Sequence, residues 1–476
     1  MRSRFRTAFA LRVLGFSAVS ALLFCWCPSA QSKSDKKPRT WGANAEVSDY
    51  RLANGLEIYL EQIPNAKAMG LFLFVKTGYT TDPAGRTGLA HLTEHMVMTA
   101  STPLRPEVWD YQRWNKERKG ANAMTRPTFT VYYSIGTREQ LSVDARRWGE
   151  VLAGKADLNQ TLLEQERVAM LKEVVHMAAR VPGGALMWLA RRVVLTGTPA
   201  GRQGIGVPDE IAKIRAVDVQ RFYKAHYRPN NALLVCVGRV DPRVDRPFYQ
   251  EVFGGLARRE GPAAVRTARP VAVPPSTRVH PSLGAVHGTF VFPAPAVASA
   301  EFPAFCIAAL WVCYQARRKF AFRGQEAAAM FHPGLYPFAE DPSLVFLNRR
   351  GRATDDVAAV RQEIETWLEG LSERRLPDRA LRGPKLEVEN LLDPLPRSAF
   401  RARLVASHAN MLYRVGMVRG ASRLLGFPKD LAARAARVTG EEVKALVSTS
   451  FRPKEGTFLA LVPSARKEKK PKSKKQ

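Results

Sequence analysis

Two stretches of the chain that lie 224 residues apart carry the same order of local signals. In the first, a helical pattern ends before Tyr227-Arg228-Pro229, and an apolar run follows at 232–235. In the second, a helical pattern ends before Phe451-Arg452-Pro453, and an apolar run follows at 457–462. Each stretch is typical of a helix, a turn and a strand. Chance similarity is the alternative, but a duplicated unit of mixed helix and strand explains the echo directly. We therefore predict two similar halves.

Strand and helix patterns alternate from residue 46 onward, which favours the α+β class. Apolar and aromatic runs at 55–60, 70–75 and 128–133 predict strands, and 162–179 predicts a long helix. A Pro- and Arg-rich stretch at 256–277 separates the two halves. The predicted organisation is a signal peptide at 1–30, a linker at 31–45, an N-terminal domain at 46–245, a linker at 246–278, a C-terminal domain at 279–464 and a disordered basic tail at 465–476.

The chain is strongly basic, with 73 Lys and Arg against 43 Asp and Glu and a formal net charge of +30. Residues 1–40 carry eight Lys or Arg and one Asp, and residues 465–476 carry seven and one Glu, so residues 41–464 keep an excess of 17 positive charges. Such a field favours anionic surfaces in general. No nucleic-acid motif accompanies it, so we expect weak contact with anionic surfaces and no specific nucleic acid partner. With 46% hydrophobic residues, the chain is not wholly disordered.

The N-terminal 30 residues have the layout of a secretory signal. Four arginines precede residue 13, a short apolar run ends at Phe24, and small residues follow at Ser29-Ala30. We therefore expect an exported chain, periplasmic or extracellular, with an uncleaved N-terminal membrane anchor as the alternative. The three cysteines beyond this segment stand in apolar surroundings, which predicts buried thiols and no disulfide framework. They are Cys236, Cys306 and Cys313.

The strongest chemical motif is a pair of histidines four residues apart on a predicted helix. His91 and His95 share one face of that helix, where both imidazoles can bind one metal ion. Glu94 lies on the same side, which gives the inverted zinc-protease order H-x-x-E-H. A catalytic zinc ion usually has three protein ligands, so we expect a third His, Asp or Glu from another part of the chain.

A second predicted helix carries Glu166 and Glu173, which lie two turns apart and share a face. A carboxylate pair placed in this way offers one metal ligand and one group that supports a ligand. A solvated row of glutamates on a surface helix is the alternative interpretation of this helix alone.

Together these motifs make the chain resemble the pitrilysin and insulinase-like zinc metallopeptidases, in which the H-x-x-E-H segment precedes a helix with two glutamates seven residues apart. Here Glu173 lies 78 residues after His95. The resemblance implies that His91, His95 and Glu173 bind one zinc ion per chain. It also implies that Glu94 is the general base and Glu166 a supporting catalytic carboxylate.

The resemblance spans about residues 46–464 and implies two homologous α/β-sandwich halves of the short, two-domain processing-peptidase type. The segment Asn122-Ala123-Met124-Thr125, leading to 130–133, resembles the family's substrate-flanking edge strand. We therefore expect Asn122 and Ala123 to contact a peptide substrate that lies extended along this strand and is bound mainly through its main chain.

One departure from the family pattern concerns the second half, where the family carries Arg and, seven residues later, Tyr, a pair that helps to hold substrate. Arg323 matches the arginine, but Met330 stands at the position of the tyrosine. We therefore expect Arg323 to bind substrate and a second chain, either a paralogous subunit or another copy of this chain, to complete the Arg/Tyr pair. A tyrosine from elsewhere in this chain, such as Tyr336, is the alternative.

The expected function is a zinc-dependent endopeptidase that hydrolyses peptides or small unfolded polypeptides, with this chain as the catalytic subunit of a two-chain enzyme. The alternative is a subunit of an envelope complex that keeps the fold as a scaffold without the chemistry. All of the expected metal ligands are present, which favours the enzyme.

Overall fold

The structure is a computed structural model of the 476-residue chain. It describes residues 46–464 except 110–112, 114–116, 118–119, 181, 263–274, 281–283, 321–328, 331–343, 353, 393–407 and 429. The predicted signal peptide, the linker at 31–45 and the basic tail lie outside the described residues. So do Arg323 and Tyr336.

The described strands are β1 (Val47–Arg51), β2 (Glu57–Gln62), β3 (Met69–Val75), β4 (Asn122–Thr125), β5 (Thr130–Gly136), β6 (Ala232–Gly238), β7 (Ser276–His280), β8 (His287–Pro293), β9 (Ala329–Met330), β10 (Leu344–Arg350) and β11 (Thr457–Pro463). The described helices are α1 (Leu89–Thr99), α2 (Arg138–Leu152), α3 (Gln160–Arg180), α4 (Pro182–Val194), α5 (Pro208–Ile211), α6 (Ala216–His226), α7 (Pro242–Phe253), α8 (Phe302–Phe320), α9 (Val357–Ser372), α10 (Arg382–Leu392), α11 (His408–Leu425), α12 (Leu431–Arg437) and α13 (Gly440–Ser450).

Each half is built on one sheet. The first sheet has the strand order β1-β2-β6-β3-β5-β4, and the second has the order β7-β11-β8-β10-β9. In the first, β6 pairs parallel with β2 and antiparallel with β3. In the second, β11 pairs parallel with β7 and antiparallel with β8. The predicted α+β class with two similar halves is confirmed.

The sequence echo corresponds to equivalent elements of the two sheets. Helix α6 leads through a short turn at Pro229–Asn231 into β6, and α13 leads through Pro453–Glu455 into β11. Both strands run through the middle of a sheet, where almost every position is buried. The echo therefore reflects two strands with the same neighbours in two related sheets.

Each half contributes one helix that packs against the sheet of the other half. One face of the first sheet packs against α1, α2, α3, α6 and α7, and its other face packs against α11 from the second half. One face of the second sheet packs against helices of its own half, and its other face packs against α4 from the first half. Both faces of each sheet are covered in this way, which fits the continuous apolar runs of the central strands.

The elements of the structure cross two of the predicted boundaries, and they also show how the substrate-flanking segment is divided. Helix α7 crosses the predicted domain end at residue 245, because Tyr249 and Phe253 pack into the first core, and this part of the predicted linker at 246–278 is helical. Strand β7 begins at Ser276, before the predicted linker ends. The segment 122–133 is a hairpin of two strands, β4 and β5, so that only β4 lies at the sheet edge.

The prediction of buried thiols is confirmed, since Cys236, Cys306 and Cys313 are all buried. Among the helices that the structure describes, none combines the length and apolar character needed to cross a bilayer.

Candidate metal and catalytic site

Helix α1 carries both histidines, and buried charged groups hold its two ends. Gly88 precedes the helix with a φ of 88° and has no side chain with which to cap it. The fully buried carboxylate of Asp82 takes that role, accepting hydrogen bonds from the Gly88 N–H at 2.7 Å and the Ala90 N–H at 2.8 Å. At the other end, Arg147 Nη2 donates to the Val97 carbonyl at 2.6 Å. Negative and positive groups thus lie at the ends that the helix dipole favours.

The three predicted metal ligands converge. His91 Nε2 and His95 Nε2 lie 3.3 Å apart, and Glu173 Oε2 lies 3.8 Å from the first and 3.6 Å from the second. Ligand atoms about 2.0–2.1 Å from a tetrahedral zinc ion lie roughly 3.3–3.4 Å from one another. The two imidazoles therefore match a zinc ion as they stand, and Glu173 is close to the required position. Its side chain keeps 45% of its surface exposed, so the site opens to solvent on this side.

The remaining nitrogens and carboxylates agree with metal binding. Glu166 Oε2 lies 3.3 Å from His95 Nδ1 and, as the acceptor, leaves Nε2 free to face the ion. His91 Nδ1 is buried and has no hydrogen-bond partner among the described residues. His91, His95 and Glu173 are the group of possible metal ligands found in the described parts of the chain, with ligand atoms within 4.8 Å of one another.

The field at this site favours a cation. Burial disfavours a charged imidazole, but hydrogen bonds with Glu166 and Glu173 outweigh it and raise the pKa of His95 to about 10. Burial likewise opposes ionisation of Glu173, but the neighbouring histidines outweigh it and lower the pKa of this carboxyl to about 2. A positive charge between these groups, whether a proton or a metal ion, is therefore stabilised.

Glu94 lies beside the ligand group and is not part of it. Its side chain points from the same helix, the residue is only 6% exposed, and Oε2 accepts a hydrogen bond from Thr125 Oγ1 at 2.6 Å. Thr125 belongs to β4, so one hydrogen bond joins the edge strand to the carboxylate. A carboxylate held close to a metal site without ligating the ion can move protons.

Of the three predicted substrate-binding residues, the structure describes two. Asn122 and Ala123 lie on β4, at the edge of the first sheet nearest to α1. Arg323 lies outside the described residues. Three groups that hold the site were not predicted: Asp82, Thr125 and Arg147. Their distance from His91 along the sequence does not predict these contacts, because the contacts form only when the folded chain brings other elements against α1.

Comparison with known proteins agrees with this arrangement. The family model described as Insulinase (Peptidase family M16) matches residues 57–187, which include all three ligands and Glu94. The model described as Peptidase M16 inactive domain matches residues 213–310.

Sequence relatives include the beta subunit of the mitochondrial-processing peptidase of Saccharomyces cerevisiae, 24% identical over 219 residues, which are 46% of this chain and 47% of the relative. An uncharacterised zinc protease of Streptomyces coelicolor is 24% identical over 192 residues, 40% of this chain and 41% of the relative. The matched region thus spans about half the length of these curated relatives or less.

Solved structures share the fold. A protease from Helicobacter pylori has a TM-score of 0.72 and 17% identity, covering 88% of this chain and 100% of that chain. Pitrilysin has a TM-score of 0.64 and 17% identity, covering 90% of this chain and 46% of that chain. From the fold, the motif and the matched family models, the chain belongs to the insulinase family of peptidases, family M16.

Proposed function

We propose that this chain is a zinc-dependent endopeptidase that hydrolyses peptides or small unfolded polypeptides. The observation that carries the proposal is the convergence of His91, His95 and Glu173 beside a buried carboxylate, Glu94, that is not one of the ligands. A site that only stored or carried a metal ion would have no need of this fourth group. The names of relatives that are zinc proteases support the same assignment.

The chemistry divides between the ion and the chain. His91, His95 and Glu173 would hold one zinc ion, which supplies Lewis acidity by lowering the pKa of a coordinated water and polarising a carbonyl. Glu94 Oε2 already accepts the Thr125 hydroxyl, so Oε1 is the atom that takes the proton of the attacking water. Glu94 then gives this proton to the leaving amine. Glu166 holds the His95 ring so that its Nε2 stays directed at the ion.

Strand β4 is the element against which we place the substrate. It ends the first sheet, and among the described residues no strand pairs with its outer side. A peptide added there would bind through main-chain hydrogen bonds, which recognise an extended backbone more than a particular sequence. The same strand contacts α1, so a bound peptide would lie close to Glu94.

The first experiment compares the wild type with Glu94→Gln by measuring bound zinc and the hydrolysis of a quenched peptide. Glutamine keeps the shape of the side chain and cannot accept the proton. We expect about one zinc ion in both proteins and a kcat lower by about 10²–10⁴-fold in the variant. As the matched control, Glu164→Gln changes an exposed glutamate on α3, outside the site, and we expect it to keep wild-type activity.

One outcome would contradict the enzyme assignment, and another would contradict the role of Glu94. A wild type that binds no zinc and cleaves nothing would favour the scaffold alternative. Equal activity in the wild type and Glu94→Gln would remove Glu94 from the mechanism.

We also propose that a second chain, paralogous or identical, completes the substrate site by supplying an Arg/Tyr pair. The proposal rests on the absence of a tyrosine seven residues after Arg323. A relative named as the beta subunit of a processing peptidase agrees with a shared enzyme. We expect activity to require an oligomer. Full activity in a strict monomer, separated by size-exclusion chromatography and assayed at once, would refute this proposal.

A further inference from the structure

Side chains alternate between the two faces of the sheet along β4, and this alternation determines the face on which Thr125 lies. Ala123 is buried in the core that contains α1, whereas Met124 packs on the opposite face of the sheet, against the core that contains α11. Successive side chains of a strand point to opposite faces. Thr125 therefore shares the face of Ala123 and points to α1, where it meets Glu94.

The hydroxyl protons around Thr125 can be assigned from the distances. Its cross-strand partner Thr130 is fully buried and donates to the Thr77 carbonyl at 3.0 Å. A hydroxyl has one proton to donate, so Thr130 can only accept at its 3.4 Å contact with Thr125 Oγ1. The Thr125 proton instead goes to Glu94 Oε2, at the much shorter distance of 2.6 Å.

This hydrogen bond decides how the carboxylate is presented. With Oε2 held by Thr125, rotation of the carboxyl group is restricted and Oε1 is left for other contacts. Glu94 is only 6% exposed, so without Thr125 water would not easily replace the lost donor. The fixed orientation depends on the hydroxyl rather than on the volume of the side chain.

We propose that Thr125 is a positioning residue, whose hydroxyl orients the Glu94 carboxylate for proton transfer and ties that orientation to the edge strand. The inference rests on the proposed peptidase function for its kinetic consequence. The orientation itself is a property of the folded chain and can be measured without turnover.

The test compares Thr125→Val, which removes the hydroxyl and nearly keeps the shape, with Thr125→Ser, which keeps the hydroxyl. We expect Thr125→Val to lower kcat on a quenched peptide by about 10–100-fold, with KM within about twofold and bound zinc unchanged. Thr125→Ser should stay within about threefold of the wild type. The matched control is Thr128→Val in the same hairpin, whose hydroxyl has no hydrogen-bond partner among the described residues, and we expect wild-type kcat there.

Crystal structures of the same variants supply the second readout. We expect the Glu94 carboxylate to turn away from β4 or to take several orientations in Thr125→Val, and to keep its place in Thr125→Ser. An unchanged carboxylate in Thr125→Val, or equal losses of kcat in the valine and serine variants, would overturn the inference. The wild type could be inert while the Glu94 carboxylate still turns in Thr125→Val and keeps its place in Thr125→Ser. That result would support the positioning role, and only the peptidase proposal would fail.

Discussion

At the scale of single residues, Asp82 is the least expected group around the site. It is fully buried, yet its carboxylate caps the helix that carries both histidines. Burial raises the pKa of Asp82 to about 7, in spite of the two backbone N–H donors and the nearby charge of Arg202, which act in the opposite direction. The side chain that caps α1 is therefore also a group whose charged form is destabilised by burial.

The first prediction concerns how the contribution of Asp82 to the free energy of unfolding depends on pH. The folded chain binds the Asp82 proton more tightly than the unfolded chain, whose carboxyl has a pKa near 3.8. Stability from this group is thus present below about pH 4 and is lost as the pH rises to about 7. Asp82→Asn has no such dependence. We expect its deficit in the free energy of unfolding, relative to the wild type, to be smaller at pH 8 than at pH 5 by more than about 1 kcal/mol.

Urea unfolding of both proteins at the two pH values, with a chelator present throughout, measures this difference. Asp209→Asn, at an exposed position, is the control, and its deficit should be small at both pH values. A deficit of Asp82→Asn that stays constant or grows with pH would show that Asp82 is not the group described here.

The candidate site was predictable from the sequence where its geometry is local. His91, Glu94 and His95 lie within five consecutive residues, so helical periodicity alone puts them together. Glu173 and Glu166 lie on a different helix, and only the family pattern connected them with the histidines. Thr125 could not be predicted as a partner of Glu94, because their contact depends on which face of β4 packs against α1.

At the scale of elements, the position of α11 on the first sheet depends on two glycines. Gly416 and Gly420 lie one turn apart, facing the rings of Phe72 and Phe74 on β3. A Cβ atom at Gly416 would lie 2.0 Å from Phe72 Cε2, and one at Gly420 would lie 2.1 Å from Phe74 Cε2. The aromatic rings therefore pack directly on the helix backbone, and neither position has room for a methyl group.

The second prediction is that Gly420→Ala destabilises the protein. Alanine would gain up to about 1 kcal/mol in helix propensity. The clash with a fully buried aromatic ring costs typically 1–3 kcal/mol, so we expect a net loss. Gly370→Ala, in α9, is the matched control, because no atom of the residues that the structure describes lies within 4 Å of a Cβ atom at that position. We expect it to be neutral or slightly stabilising in the same urea titration.

A stabilised Gly420→Ala would contradict the packing of α11 described here. A loss in both variants would mean that the glycine effect is a general one of backbone conformation and not of contact with Phe74.

The elements themselves were predictable to different degrees for physical reasons. The strands with continuous apolar runs and the long helix α3 were found, because their burial on two faces or their length is visible locally. Part of helix α7 was assigned to the linker that the Pro- and Arg-rich stretch at 256–277 predicts. The helix belongs to the first half because Tyr249 and Phe253 pack into its core, and composition alone does not reveal that contact. The exchange of α4 and α11 left no sequence signal, because an apolar helix face does not identify the sheet that it covers.

At the scale of the whole molecule, this exchange couples the two halves. Helix α11 continues the core of the first sheet, and Arg419 binds the buried Glu61 of that sheet through two hydrogen bonds of 2.7 and 3.0 Å. Glu61 is 2% exposed, so separating the halves would leave its charge without its partner. Neither sheet keeps both of its faces covered if the other half unfolds.

The final prediction is that the two sheets open together. We expect the slowest-exchanging amide hydrogens of β3 and of β8 to report the same opening free energy, although the strands belong to different halves. Gly420→Ala should lower both values by the same amount, since it loosens the helix that joins the second half to the first sheet. Hydrogen exchange measured by mass spectrometry resolves peptides from the two strands. Loss of protection in β8 while β3 stays protected would mean that each half unfolds on its own, and the exchanged helices would then be contacts without thermodynamic coupling.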